Sequence, residues 1–303
     1  MNARFGLGTY RCQDTASAAS VAVASGVDWI DTAPNYHHGL DEIALAPVLK
    51  RHRHVGLSIK VGFIAPSTWA EAVAEGVLPA EEAGMRHSLQ PGFIRWQLVR
   101  SVQHLGRTPD VVFVHNPEHP GAGQSSLADL STRLLDAFDA LESACADGLA
   151  RSYGLATWSG FSDGHFTVRQ LLAIARRVGG GNHRFRAVQM PLSLVHVAPL
   201  HAALNGQGVL VQAGEAGLEV FASAPLHGGA LAELLTPEAI ALIGRNLSPA
   251  QAALAVVAST PGVNRVLLSA SSPRHWNDAV ILQDRAPVPP DQLRKALDVL
   301  AAG

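Results

Sequence analysis

A chain of 303 residues with 48% hydrophobic and 16% charged side chains has ample material for a large core, and its length fits two average domains or one large α/β barrel. A formal net charge of -2, with Lys and Arg dispersed, excludes an electrostatic footprint for nucleic acid. No run of 18 apolar residues occurs and no apolar stretch of signal length opens the chain, so neither a membrane partner nor export is expected.

Short β-branched or apolar runs alternate along the chain with longer amphipathic stretches, the pattern of βαβ units and a parallel sheet. Strands are expected at 4–10 (RFGLGTY), 27–32 (VDWIDT), 54–61 (HVGLSIKV) and 110–115 (DVVFVH). Four more are expected at 150–157 (ARSYGLAT), 185–190 (FRAVQM), 218–223 (LEVFAS) and 263–269 (VNRVLLS). Apolar residues at helical spacing fill the gaps at 14–25, 93–105, 126–146 and 164–177. The tetrapeptide SPAQ at 248–251 announces another helix, with Ser248 as cap, Pro249 in the first turn and Gln251 completing a capping box. Eight strands, each followed by a helix, imply a single-domain (β/α)8 TIM barrel over residues 1–303. The stretch 63–92 after the third strand is too long for a simple connector, and it reads as a lid or substrate loop or as an inserted surface helix.

In such a barrel the reactive groups sit at the C-terminal ends of the strands. The second strand ends in Asp31, the third in Lys60 and the fourth in His115, while Tyr36 follows in a Pro/Asn loop after Asp31. Taken singly, each has an ordinary structural role as a turn, solvated or core residue. Their placement on successive strand ends points to a shared site. A tyrosine hydroxyl titrates near 10 in water, so proton exchange at neutral pH calls for a cation beside it. Lys60 can be that cation, Asp31 can keep Lys60 charged, and His115 can donate a hydrogen bond to a carbonyl oxygen that gains charge. The set describes a site that reduces a carbonyl, and the hydride must come from a cofactor.

Other candidates are weaker. The run RHRH at 51–54 reads as solvated surface, and His37, His38, His52 and His54 have no metal-ligand spacing, so no metal site is expected. Cys12 and Cys145 lie far apart and suggest reduced thiols, hence a cytoplasmic protein. Tyr10, Trp69 and Trp158 are candidate substrate contacts, with packing as the alternative role for the two tryptophans. The oligomeric state is left open.

These motifs resemble the aldo-keto reductase family over nearly the whole chain: GLGTY (6–10), GVDWIDTAPNY (26–36), LSIKVG (57–62), SVQHLGRTPDVVFVHNPE (101–118), AVQMPLSL (187–194) and APLHGGAL (224–231). Within the family, the bacterial aldose and sugar dehydrogenase branch is the most similar. The resemblance implies a barrel without a Rossmann unit, NADP as hydride carrier, small-molecule carbonyl or alcohol substrates, and Asp31, Tyr36, Lys60 and His115 as catalytic tetrad. It also implies a more open pocket, because the helix at 289–301 leaves no long C-terminal substrate loop.

The cofactor side departs from the family pattern. Where a Ser-Asn pair is usual after the fifth strand, the chain has Ala156 and Thr157. Gln189 matches the glutamine that contacts the nicotinamide amide, Ser223 stands where a stacking tyrosine is common, and Leu226 lies in the segment beside it. After the eighth strand come Ser269, Ser271 and Ser272, then His275 at the usual Arg position, Asp278 for Glu and Ala279 for Asn. Arg274 lies one residue off register, and the alternative expectation is that it reaches the phosphate by a slightly different path. Replacing a guanidinium by an imidazole removes a bidentate charged contact, so weaker binding and poorer selection of NADP over NAD are expected. A rival expectation is a barrel that binds no cofactor and uses Tyr36 and Lys60 for proton transfer as an isomerase, lyase or cyclase.

Overall fold

The computed structural model describes residues 2–80, 86–119 and 126–301. Eight parallel strands close into a barrel in chain order: β1 (Arg4–Gly8), β2 (Trp29–Asp31), β3 (Gly56–Val61), β4 (Val111–His115), β5 (Ser152–Ala156), β6 (Phe185–Pro191), β7 (Glu219–Ser223) and β8 (Arg265–Leu268). Closure comes from β1 against β8, with Phe5 opposite Val266 and Leu7 opposite Leu268. All eight strands fall where the apolar runs lie, because strands buried on both faces read as continuous Val/Ile/Leu stretches.

The strand faces that point outward pack against the helices in one continuous core, while a smaller set fills the barrel itself: Trp29, Val111, Phe113, Ala187, Phe221 and Leu267. Trp29 and Phe113 each meet Phe221 at 5.4 Å between ring centroids. Rings this large leave no room for neighbouring side chains, and a Cβ on Gly56 would collide with the Trp29 ring. Below them, the Arg265 guanidinium lies 4.2 Å from the Trp29 ring centroid and donates to Asp28 at 2.9 Å. The barrel is therefore stopped from within, and its free end is the one where β2, β3 and β4 finish.

The helices begin where capping chemistry places them. Ser126 and Asp129, Thr167 and Gln170, and Ser248 and Gln251 form reciprocal capping boxes at the starts of Leu127–Ala146, Val168–Gly179 and Pro249–Ser259. The stretch 63–92 forms a helix at Pro66–Ala74 and returns beside the end of β3, where Ile64 N donates to Arg86 O and Ser88 N donates to Gly62 O, both at 2.9 Å. Residues 81–85, within the expected lid, lie outside the described residues. No described helix is long and apolar enough to cross a membrane.

Candidate active site

Asp31 closes β2 and Lys60 lies one residue before the end of β3, so both face the barrel interior and are only 3% and 2% exposed. They form a buried ion pair. The remaining capacity of Asp31 is filled as well: Oδ1 accepts from Ser58 Oγ at 2.7 Å and from Gln189 Nε2 at 3.1 Å. Trp29 Nε1 donates in turn to Ser58 Oγ at 3.0 Å. A buried carboxylate of this kind persists only when it is paired and hydrogen-bonded. Asp31 is thus neither a turn cap nor a solvated acid.

Tyr36 opens a short helical turn, Tyr36–Gly39, in which His37 and His38 take positive φ of 46° and 57°. Its ring lies 5.1 Å from Lys60 Nζ, 5.1 Å from the Tyr10 ring and 6.1 Å from the His115 ring, measured to centroids. Four groups spread over three strand ends and one loop therefore meet around one point. Among the described residues His115 Nδ1 is buried without a partner, which leaves Nε2 as the nitrogen that can meet a ligand.

The electrostatics follow from burial first. Desolvation alone would push the Lys60 ammonium down, but Asp31 and the Tyr36 hydroxyl outweigh it and hold the lysine above its ordinary value. The Tyr36 residue as a whole is half-buried, yet its hydroxyl is enclosed, and that desolvation raises its pKa despite the opposing pull of Lys60. Lys60 thus acts on the phenol in the expected direction, and burial outweighs it. His115 is pushed well below the normal imidazole range by burial and then by the Lys60 charge, so it is a neutral ring.

The site opens into one cavity of about 1080 Å³, which extends from Asp31, Tyr36 and His115 past Ser223 and Leu226 to His275 and Asp278. Tyr10, Thr157, Trp158, Gln189 and Ser269 also line it, while Lys60 lies beneath. Three expected site residues lie elsewhere. Trp69 packs with Ile64, Ala72, Leu78 and Phe93 in a satellite core, and Ser271 and the exposed Arg274 do not line the cavity. Other expected contacts face it but are engaged already. The Thr157 hydroxyl donates to Glu118 Oε1 at 2.6 Å, Gln189 donates to Asp31, and Ser269 Oγ lies 2.7 Å from Gly8 O and 2.9 Å from Tyr10 O.

Several participants are not singled out by the sequence. Glu118 also accepts from Trp158 N at 2.9 Å and Ser159 N at 3.2 Å, so it organises the loop after β5. Phe63 and Arg11 line the cavity, Arg11 with a positive φ of 66°. The acid after the Asn-Pro dipeptide at 116–117 was the nearest available hint of Glu118.

The cavity's span from Tyr36 and His115 to His275 and Asp278 suits an extended ligand, and its volume lies at the upper end of the about 300–1,000 Å³ of ordinary small-molecule pockets. Its far end meets the first turn of the helix Pro273–Val280, where backbone N–H groups favour a phosphate. Gly228 and Gly229, at φ of 70° and 100°, contribute bare backbone to the wall between the two ends. The residues present therefore fit a dinucleotide in overall form.

The fold has solved counterparts. Glycerol dehydrogenase AKR11B4 from Gluconobacter oxydans aligns with a TM-score of 0.71 at 19% identity, over 99% of this chain and 92% of its own. Aldo-keto reductase AKR11C1 from Bacillus halodurans, in its holo form, gives 0.70 at 17% identity, over 99% and 91%. An aldo-keto reductase from Klebsiella pneumoniae in complex with NADPH gives 0.66 at 18% identity, over 99% and 94%. No curated protein sequence matches this chain. Residues 3–295 match the family model described as Aldo/keto reductase family, and with the closed barrel they establish that the chain belongs to the aldo/keto reductase family.

Proposed function

We propose that this protein is an oxidoreductase that moves a hydride between NADP(H) and a carbonyl or alcohol carbon at the barrel mouth. The observation that carries the reading is the meeting of a phenol, a buried ammonium–carboxylate pair and a neutral imidazole at one end of an elongated cavity. A bound nicotinamide supplies the hydride, which no side chain can. Tyr36 gives its proton to the substrate oxygen during reduction and takes it back during oxidation. His115 Nε2–H donates to the same oxygen as charge develops on it. Lys60, kept charged by Asp31, stabilises the tyrosinate left after transfer. The raised phenol pKa keeps Tyr36 protonated at neutral pH, the form that reduction needs.

Ser223, Leu226, Gly228 and Gly229 would hold the middle of the cofactor, and His275 with the first turn at Pro273 its phosphate end. Support comes from the relative solved with NADPH. A reducing, cytoplasmic setting belongs to the same reading, and it agrees with the unpaired Cys12 and Cys145. The test is a titration of NADPH and NADH followed by tryptophan fluorescence, for which Trp158 in the cavity wall is a natural reporter. Quenching in the micromolar range is expected for NADPH.

A second reading rests on the two amide-binding candidates that are engaged elsewhere, Thr157 by Glu118 and Gln189 by Asp31. In it the barrel binds no cofactor, and Tyr36 with Lys60 transfers protons on a carbonyl substrate. An absence of quenching at millimolar NADPH and NADH would favour it and dismiss the first.

A further inference from the structure

His87 is wholly buried, and its Nε2 lies 2.6 Å from the backbone oxygen of His115, the last residue of β4. A carbonyl oxygen only accepts, so Nε2 carries the proton and the ring is a donor. Its segment is fixed to the end of β3 by the hydrogen bonds of Ile64 and Ser88. Gly62, at φ 124°, makes room for the ring, since a Cβ there would sit 2.8 Å from His87 Nε2. Phe63 meets the His87 ring at 4.9 Å and the His115 ring at 4.6 Å, both edge to face.

Among the described residues, none hydrogen-bonds the buried Nδ1 of the His115 ring to set its rotation. Its direction therefore depends on where its backbone is held and on what packs against the ring. We infer that His87 is a positioning residue for His115: its ring N–H pins the carbonyl at the end of β4 and, with Phe63 against both imidazoles, sets where His115 Nε2 points. The catalytic consequence rests on the function proposed above; the structural one does not.

The test compares the wild type with His87→Phe, which keeps a ring and loses the donor, and His87→Gln, which keeps an N–H donor. With NADPH and 4-nitrobenzaldehyde as probe, His87→Phe is expected to lose about tenfold or more in kcat, as small displacements of a reacting group do. NADPH binding by fluorescence should stay within about twofold, and His87→Gln should recover most of the kcat loss. Long-range proton–nitrogen spectra of the histidine rings should find His87 protonated on Nε2 and His115 shifted in His87→Phe. A wild-type kcat in His87→Phe, or a His87 ring protonated on Nδ1, overturns the inference. If the wild type turns over no carbonyl, the reductase reading fails and the ring spectra alone decide the positioning. If His87→Phe does not fold, the wild-type spectrum and His87→Gln decide: His115 signals unchanged in Gln uphold the inference, and displaced ones overturn it.

Discussion

Asp31 accepts from Lys60, Ser58 and Gln189 at the buried base of the cavity, and this makes the pair sensitive to the loss of one member. Removing one partner leaves an uncompensated buried charge, whereas removing both does not. Lys60→Met should therefore lower stability by about 3–5 kcal/mol in urea unfolding, and Asp31→Asn added to it should restore part of the loss. Tyr36→Phe removes only the hydroxyl that carries the proton, so turnover should fall by about 10²–10⁴ while NADPH binding persists. His87 yields a third outcome. Burial first, and then the neighbouring His119 and Arg133 charges, hold its folded pKa at about 4, against the opposing hydrogen bond to His115. The unfolded ring titrates near its ordinary 6.5. Between these values the unfolded chain binds the extra proton, so stability that is full above pH 6.5 falls as the pH drops through 4, by about 3 kcal/mol from this group. Thermal unfolding from pH 7 to 4.5 should show the decline, and His87→Gln should flatten it.

At the scale of elements, local rules account for most of what forms. The strand runs are apolar on both faces, and the helix starts carry their own capping partners three residues on, as Thr167 with Gln170 and Ser248 with Gln251 do. Such signals are legible because each depends on neighbours a few positions away. The stretch 63–92 is the exception. Its helix at Pro66–Ala74 follows from its composition, but the return of 86–88 to the end of β3 is a tertiary pairing, with no alternating pattern to announce it. Gly154 in β5 belongs to the same class. A Cβ there would collide with Ala187 O and lie 2.8 Å from the Phe113 ring, so Gly154→Ala should destabilise the barrel by about 1–3 kcal/mol in denaturant melts.

For the whole molecule, the cavity joins the proposed chemical end to the proposed binding end, and their legibility differs. Asp31, Lys60 and His115 stand at consecutive strand ends, where a barrel always gathers side chains, so the chemical end could be read without coordinates. The binding end depends on which side of one helix faces inward. Successive helical residues point about 100° apart, and within Pro273–Val280 it is His275 that lines the cavity while the neighbouring Arg274 does not. His275→Arg should consequently tighten NADPH relative to NADH by about tenfold, read from paired titrations.

Composition and periodicity alone determined an alternating β/α chain with ionisable groups at three successive strand ends, because both are properties of short stretches. Only the closed barrel decided that Gln189, 158 positions from Asp31, would bond to it, that His87 would hold β4, and that Trp69 and Arg274 would face away from the cavity. Those outcomes depend on distances across the fold, and a linear pattern contains none of them.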